Sequence, residues 1–208
     1  MIGYYNYTVV PTYFGLASSI LGLYLALHMN HPFLAVMCLM FSGFCDMYDG
    51  KIARTKERTA QEKKFGIQID SLSDLICFGV LPVAIGYSIG MTAPYFLLIA
   101  VFYVLTALIR LAYFNVLEEE RQQETEEVRD YYTGLPVTSV ALFLPLVYAM
   151  KLFLGEYIYI LYAVALLVIG CLFVSKLKVK KPHGKAMYVI LAIGLVELVL
   201  LIFCALKR

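Results

Sequence analysis

The sequence predicts an all-α, polytopic integral membrane protein, and three observations support this fold class. Of the 208 residues, 62% are hydrophobic, whereas a soluble domain has about 45–50%. The mean hydropathy is +0.79. A membrane-spanning helix needs ~20 consecutive apolar residues, and four long stretches contain no Asp, Glu, Lys or Arg: 1–45, 75–109, 131–150 and 157–175.

The apolar stretches divide into seven predicted helices within one membrane domain, 1–208. Pro32 and Pro94 mark the starts of the second and fourth helices, because proline is favoured in the first helical turn. Gly155-Glu156 forms the turn before the sixth helix. The predicted spans are 10–29, 32–50, 66–90, 94–117, 133–153, 157–175 and 186–206.

The charged connectors predict the orientation in the membrane. Residues 51–64 contain six Lys or Arg against two Glu, and residues 175–185 contain five Lys and no acid. With seven spans both loops lie on one side, which the positive-inside rule makes cytoplasmic, together with the N-terminus. The loop 118–130 on that side is acidic, but acidic residues contribute little to orientation. We therefore expect a multi-pass cell-membrane protein whose basic loops meet anionic lipid headgroups.

Charge and cysteine content argue against a nucleic-acid-binding protein and against a disulfide-rich protein. The formal net charge of +2 is too small to suggest a nucleic-acid partner. The cysteines all lie in apolar segments, which favours buried free thiols over a disulfide framework. They are Cys38, Cys45, Cys77, Cys171 and Cys204.

Four aspartates stand at the predicted cytoplasmic ends of the second and third helices. No Asp, Glu, Lys or Arg precedes Asp46 in the chain. Asp46 and Asp49 are three residues apart, and Asp70 and Asp74 are four apart, so each pair shares one helix face. Two antiparallel helices joined by a cytoplasmic loop would bring all four carboxylates to one depth.

Four carboxylates in a partly dehydrated site repel one another unless a cation neutralises them. An all-oxygen site suits Mg²⁺ or Mn²⁺ better than Zn²⁺, and two such ions ~3.5–4 Å apart are able to clamp a diphosphate. The alternative is a set of interfacial charges with the basic loop 51–64 as counter-ions. That alternative is the better explanation for any single aspartate, but two pairs at helical spacing favour a metal site.

The residues around the aspartates resemble a known signature. The pattern DxxDGxxAR, from Asp46 to Arg54, is followed by GxxxDxxxD, from Gly66 to Asp74. Together they are similar to the motif of the CDP-alcohol phosphotransferase family, although the eleven residues between the two halves exceed the usual spacing. The resemblance implies a dimeric protein with a six-helix core, here 10–175, and an additional C-terminal helix outside it.

The resemblance also implies roles for these residues. Asp46, Asp49 and Asp70 match the ligands of two divalent cations, Mg²⁺ or Mn²⁺, and Asp74 matches the position proposed as general base and additional ligand. The implied reaction is attack of an alcohol hydroxyl on the phosphate that bears the lipid, with CMP leaving. The positions that match the CDP-binding pocket are Asp49, Gly50, Ala53, Arg54 and Gly66.

Two later segments bear on the acceptor alcohol. Arg110-Leu-Ala-Tyr-Phe-Asn115 and Gly134-Leu-Pro136 are similar to segments of bacterial and archaeal phosphatidylserine synthases within that family. This resemblance implies L-serine as acceptor and CDP-diacylglycerol as donor. Arg110 is the only charged residue in 75–117. Its guanidinium either holds a substrate carboxylate or phosphate, assisted by Asn115, or extends to the lipid headgroups.

Three alternatives remain open from the sequence. The same chemistry would serve another acceptor, such as glycerol phosphate or inositol phosphate, or an ether-lipid donor. A different class is a divalent-cation or proton-coupled transporter that uses the aspartates as its ion site. Transporters often place such sites at the midplane between repeats, whereas these carboxylates lie at one face. Glu197, an acid within the last span, has no partner that the sequence assigns.

Overall fold

Long helices dominate the computed structural model, which describes residues 3–53, 55–124, 131–180 and 185–206. Within these ranges, five helical stretches are long and apolar enough to cross a membrane, and a further apolar helix, Tyr188–Phe203, is shorter. The predicted all-α, polytopic membrane fold is therefore confirmed. The five stretches are Tyr7–Leu27, Pro32–Ala53, Ala60–Ser88, Pro94–Glu120 and Val137–Phe173.

The chain alternates helices with short connections. The helices are α1 (Val10–Leu27), α2 (Pro32–Ala53), α3 (Ala60–Asp74), α4 (Leu81–Ser88), α5 (Pro94–Glu124), α6 (Val140–Ala149), α7 (Lys151–Leu154), α8 (Ile158–Phe173) and α9 (Lys185–Leu206). Single 3-10 turns precede α1, α6 and α8, at Tyr7–Val9, Val137–Ser139 and Gly155–Tyr157. Two three-residue strands, β1 (Tyr131–Thr133) and β2 (Lys178–Lys180), pair antiparallel.

Helices α1 and α2 pack closely through small residues. A Cβ atom on Gly22 would lie only 2.9 Å from the Cβ of Cys38, so the two backbones approach where glycine allows it. The hydroxyl of Ser42 lies 2.8 Å from that of Ser19 and 2.9 Å from the carbonyl oxygen of Gly15, to which it donates. These contacts fix the part of α2 that leads to its two aspartates.

Helix α3 begins at Ala60, six residues before the predicted start of the third span at residue 66. Its first turn is polar, so hydropathy alone did not reveal it. A capping box marks the true start: the backbone N–H of Glu62 donates to the Thr59 hydroxyl at 3.2 Å, and the backbone N–H of Thr59 donates to the Glu62 carboxylate at 2.9 Å.

Helix α3 continues into α4 through a π-turn, Leu75–Val80. Pro82 follows this turn and has no N–H, so the carbonyl of Phe78, four residues earlier, lacks its α-helical donor. The hydroxyl of Tyr103 donates to that carbonyl at 2.7 Å, and the hydroxyl of Tyr162 donates to the carbonyl of Pro82 at 3.1 Å. An unpaired buried carbonyl costs ~1–3 kcal/mol. The Tyr103 hydroxyl therefore stabilises the irregular turn, whereas the Tyr162 hydroxyl stabilises the start of α4.

The stretch Val137–Phe173 turns back on itself. Gly155, with a φ of 55°, follows α7 at the reversal. The backbone N–H of Leu135 donates to the carbonyl of Leu172 at 3.1 Å, so the segment before α6 lies beside the end of α8. The pairing of β1 with β2 extends this contact. The fifth and sixth predicted spans are therefore two antiparallel helices.

The core lies among α2, α4, α5, α6 and α8. Its largest fully buried side chains include Leu39, Leu81, Ile85, Tyr103, Leu144, Tyr162 and Leu166. Helix α9 packs against α6, where a Cβ on Gly194 would lie 3.5 Å from the side chain of Leu142. The core thus joins α4 and α5, the helices next to the aspartates, to the rest of the bundle.

Candidate active site

The four predicted aspartates face one cleft between α2 and α3. Asp46 and Asp49 lie in the last turns of α2, and Asp70 and Asp74 lie in the last turns of α3. The cleft has an empty volume of about 190 Å³. It is lined by Thr12, Gly15, Ser42, Cys45, Asp46, Asp49, Asp70, Ser73, Asp74, Cys77 and Phe78.

Three of the aspartates form a group small enough to hold a metal ion. One carboxylate oxygen from each of Asp46, Asp49 and Asp70 lies within 4.8 Å of the other two. Asp74 is outside this group, but it lines the same cleft. Asp74 is only 8% exposed, whereas the other three are half-buried.

The described basic side chains do not compensate these carboxylates. In the loop after α2 and the start of α3, Lys56 pairs with Glu62 at 3.4 Å and Lys64 pairs with Glu119 at 2.8 Å. The Oδ1 atom of Asp70 is buried without a hydrogen-bond partner among the described residues. A set of carboxylate oxygens with one orphaned atom fits a hard divalent cation, Mg²⁺ or Mn²⁺, better than interfacial charges with counter-ions.

Helix α1 supplies a polar contact that the sequence analysis missed. The hydroxyl of Thr12 donates to Oδ2 of Asp49 at 3.4 Å, and Thr12 is 8% exposed. Thr12 lies in an apolar helix without charged neighbours, so its sequence context does not distinguish it from a threonine that only packs. Its position beside Asp49 is a product of the close α1–α2 pairing.

Of the residues matched to the CDP-binding positions, Asp49 lines the cleft, whereas Gly50, Ala53 and Gly66 lie outside its lining. Gly50 is exposed, and a Cβ there would have no heavy atom within 4 Å, which leaves room for a ligand. A Cβ on Gly66 would lie 3.2 Å from Nη1 of Arg58, a loop residue that the sequence analysis did not single out. Ala53 is the last residue of α2, and Arg54 lies outside the described residues.

Arg110 is buried inside the protein rather than extended towards the membrane surface. It is 6% exposed, and its Nε donates to the carbonyl of Leu135 at 3.3 Å. Its guanidinium carbon lies 5.5 Å from the ring centroid of Phe114. This position argues against the lipid-headgroup alternative, although Arg110 is not among the residues that line the aspartate cleft.

Asn115 connects α5 to the helix that carries two of the aspartates. The hydroxyl of Ser71 donates to Oδ1 of Asn115 at 2.8 Å, and Ser71 directly follows Asp70 in the chain. Of the two predicted acceptor residues, Asn115 is therefore linked to the aspartate helix α3. A serine between aspartates carries no separate signal in the sequence, so Ser71 was not predicted.

Comparison with known families agrees with this geometry. The family model described as CDP-alcohol phosphatidyltransferase matches residues 6–175, which include the four aspartates, Arg110 and Asn115. The chain belongs to this family. The match ends before α9, so that helix lies outside the CDP-alcohol phosphatidyltransferase region.

Several relatives share the description CDP-diacylglycerol–serine O-phosphatidyltransferase. The chain is 38% identical to the Saccharomyces cerevisiae protein over 112 residues, 52% of this chain and 40% of that protein. It is 29% identical to the Bacillus subtilis protein over 181 residues, 85% and 91% of the two chains. It is 28% identical to the Methanocaldococcus jannaschii protein over 186 residues, which are 89% of this chain and 81% of that protein. The match spans less than half the length of the yeast and Mycobacterium leprae relatives.

Proposed function

We propose that this protein transfers a phosphatidyl group from CDP-diacylglycerol to the hydroxyl of L-serine, giving phosphatidylserine and CMP. The observation that carries the proposal is the cleft in which Asp46, Asp49 and Asp70 form a ligand-sized group with Asp74 beside it. Membership of the family supports the transfer chemistry. The serine acceptor is supported by the descriptions of the relatives, some of which are matched over most of their length.

Asp74 is proposed as the general base. A serine hydroxyl is a weak nucleophile at neutral pH, so a carboxylate within hydrogen-bonding reach has to accept its proton. As that O–H bond breaks, the serine oxygen forms a bond to the lipid-bearing phosphorus, and the bond from this phosphorus to the CMP oxygen breaks. Asp74 is the least exposed of the four aspartates and lies outside the group formed by the other three, which distinguishes its position from theirs.

Asp46, Asp49 and Asp70 are proposed to hold two divalent cations, Mg²⁺ or Mn²⁺, with Asp74 as an additional ligand. Cations bound there would offset the negative charge of the diphosphate and of the departing CMP. Thr12 orients Asp49 through its hydroxyl. The space around Gly50 is open, and the guanidinium of Arg58 lies near Gly66. The nucleotide is therefore proposed to bind along the C-terminal end of α2 and the first half of α3. Ala53 and Arg54 are proposed to complete the CDP-binding residues.

Arg110 and Asn115 are proposed to bind the acceptor side of the substrate pair. The carboxylate of L-serine needs a fixed cation, and a guanidinium held by a backbone carbonyl is pre-oriented for such a partner. The Ser71–Asn115 hydrogen bond ties this part of α5 to the aspartate helix. A phosphorylated acceptor would require further basic side chains near Arg110, and the loop 118–130 is mainly acidic.

The protein is proposed to be a homodimer in the cell membrane, with the cleft facing the cytoplasm. The orientation follows from the basic loops 51–64 and 175–185. The N-terminal segment lies on the same side as the first of these loops, since the hydroxyls of Tyr7 and Thr55 are 2.9 Å apart. The dimer rests on the family resemblance.

CMP release by the purified, detergent-solubilised protein tests the proposal. The protein would be given CDP-diacylglycerol with Mg²⁺ or Mn²⁺, and L-serine, glycerol 3-phosphate, inositol phosphate or no acceptor. We expect metal-dependent CMP release with L-serine alone, accompanied by phosphatidylserine. Release with another alcohol would retain the chemistry and overturn the acceptor. A folded protein that releases no CMP under any condition, but carries isotopic cations into proteoliposomes, would instead be a transporter.

A further inference from the structure

We propose that the hydroxyl of Tyr103 positions the aspartate cleft by holding the π-turn that directly follows Asp74. This inference rests on the proposed cation site, because its effect is defined as a change in how the carboxylates of α3 meet those of α2. Tyr103 touches neither substrate nor cation in this scheme. It acts through the backbone of the helix that carries Asp70 and Asp74.

The irregular turn lies next to the aspartates in the chain. Asp74 is the last residue of α3, and the π-turn Leu75–Val80 begins at the next residue. A π-turn adds a residue to the helical turn and so changes the direction in which residues on either side of it point. The direction in which Asp70 and Asp74 point, relative to the side chains of α4, therefore depends on whether this turn is maintained.

A hydrogen bond from α5 reaches the backbone of this turn. The carbonyl of Phe78 lies inside the turn, and Pro82 provides no N–H to it. Tyr103 is fully buried, and its hydroxyl donates to this carbonyl at 2.7 Å. Phe78 itself lines the aspartate cleft and is 1% exposed. The donor thus comes from a neighbouring helix at a point where the helix cannot supply its own.

Helix α5 contacts α3 and its π-turn on both sides of Asp74. Towards the cytoplasmic end, the Ser71 hydroxyl donates to Asn115 on α5 at 2.8 Å. Beyond Asp74, a Cβ on Gly79 would lie 3.6 Å from the Cβ of Ala107, one helical turn from Tyr103 on α5. The segment with Asp70 and Asp74 is therefore fixed against α5 at two separate points.

Tyr162 offers a matched control. Its hydroxyl donates to the carbonyl of Pro82 at 3.1 Å, and like Tyr103 it is fully buried. The two tyrosines make the same kind of hydrogen bond to the same helical path. Phe78, however, is four residues from Asp74, whereas Pro82 is eight residues away. A general loss of packing or hydrogen bonding would affect both variants, but a positioning role affects Tyr103→Phe alone.

The experiment measures Mn²⁺ binding to the purified full chain by electron paramagnetic resonance, alongside thermal unfolding by circular dichroism. We expect Tyr103→Phe to raise the Mn²⁺ dissociation constant about three- to tenfold, the range for one hydrogen bond. Tyr162→Phe should change it less than about twofold, with a similar shift of the unfolding temperature in both variants. Equal effects on Mn²⁺ binding, or none for Tyr103→Phe, would overturn the proposal.

A rescue variant keeps the test decisive if Tyr103→Phe is poorly folded. Pro82→Ala restores a backbone N–H four residues after Phe78, so the double variant Tyr103→Phe/Pro82→Ala should recover most of the lost Mn²⁺ affinity. A double variant as weak as Tyr103→Phe would contradict the role of the Phe78 carbonyl. Wild-type protein that binds Mn²⁺ but releases no CMP would refute the proposed function alone, whereas wild-type protein that binds no Mn²⁺ would refute this positioning role.

Discussion

The aspartate cleft and helix α9 both bury carboxyl groups, but their surroundings differ. In the cleft, four carboxyls from two helices converge, and three of them lie within 4.8 Å of one another. On α9, Glu197 is 3% exposed, and neither of its oxygens has a hydrogen-bond partner among the described residues. The acids of the cleft face the same space, and Oδ1 of Asp70 has no hydrogen-bond partner among the described residues. Both observations favour a common ligand.

This difference separates a binding site from an isolated buried acid. Several carboxylates that face one volume are stabilised together by a cation, so each of them contributes to the same function. A single acid on one helix has no such partner, and burial alone does not give it a role. Five predictions follow from this difference, ordered from the largest expected effect on turnover to the smallest.

Asp74→Asn should have the largest effect. It removes the proposed base while keeping the shape of the side chain, so turnover should fall by about 10²–10⁴-fold, and CDP-lipid binding should remain nearly intact. CMP release and equilibrium binding of the CDP-lipid, measured on the same preparation, distinguish a loss of turnover from a loss of binding. A loss of binding as large as the loss of turnover would show that Asp74 belongs to the pocket rather than to proton transfer.

Asp46→Asn and Asp70→Asn should raise the metal requirement as well as lower the rate. Loss of an outer-shell partner already weakens metal affinity by about 10–100-fold, and a direct ligand should matter at least as much. Titration of CMP release against Mn²⁺ and Mg²⁺ measures this shift. An unchanged titration midpoint in either variant would remove that residue from the ligand set.

Arg110→Lys should weaken the use of the acceptor. A lysine cannot both donate to the carbonyl of Leu135 and present a planar fork to a carboxylate, so the KM for L-serine should rise about tenfold. The KM for CDP-diacylglycerol should stay constant. If the variant only lowers the unfolding temperature and keeps both KM values, Arg110 is a structural residue that holds the segment at Leu135.

Thr12→Val should have a smaller effect on metal binding. It removes the 3.4 Å hydrogen bond to Asp49 but keeps the volume of the side chain, so we expect a loss of Mn²⁺ affinity of about threefold. Mn²⁺ titration of Thr12→Val beside Thr12→Ser, which retains the hydroxyl, measures it. Equal losses in both variants would assign the effect to packing between α1 and α2.

Glu197→Gln should have the smallest effect. The substitution keeps the shape and removes an acid that has no partner, so activity should change less than about twofold and the unfolding temperature should stay the same or rise. CMP release and thermal unfolding measure this. A loss of turnover comparable to that of the aspartate variants would show that Glu197, like the aspartates of the cleft, is required for activity.

The aspartates were predictable because their spacing is a property of the helix. Residues three or four apart share a face whatever the tertiary structure, so Asp46 with Asp49 and Asp70 with Asp74 were paired from the sequence. The membrane spans were predictable for a similar reason, since hydropathy reflects the surroundings rather than particular contacts. The antiparallel course of the two predicted helices brought the pairs to one site, and the family resemblance implied their roles.

The remaining features depend on contacts between distant parts of the chain. The apolar run around Pro82 reads as an ordinary helix, and the π-turn becomes visible only with Tyr103 on α5. The strands β1 and β2 have three residues each, which is too short for a pattern. The burial of Arg110 likewise depends on the carbonyl of Leu135, 25 residues away.

The close α1–α2 pair has a consequence for membrane insertion of the chain. Its contacts join residues near in sequence, such as Ser19 with Ser42, across the short connection 28–31. Contacts of this kind form early, because little loop-closure entropy is lost. We therefore expect a helical hairpin that assembles during synthesis with Asp46 and Asp49 already in place. Between the arrival of α2 and that of α3, these two acids lack the second half of their site.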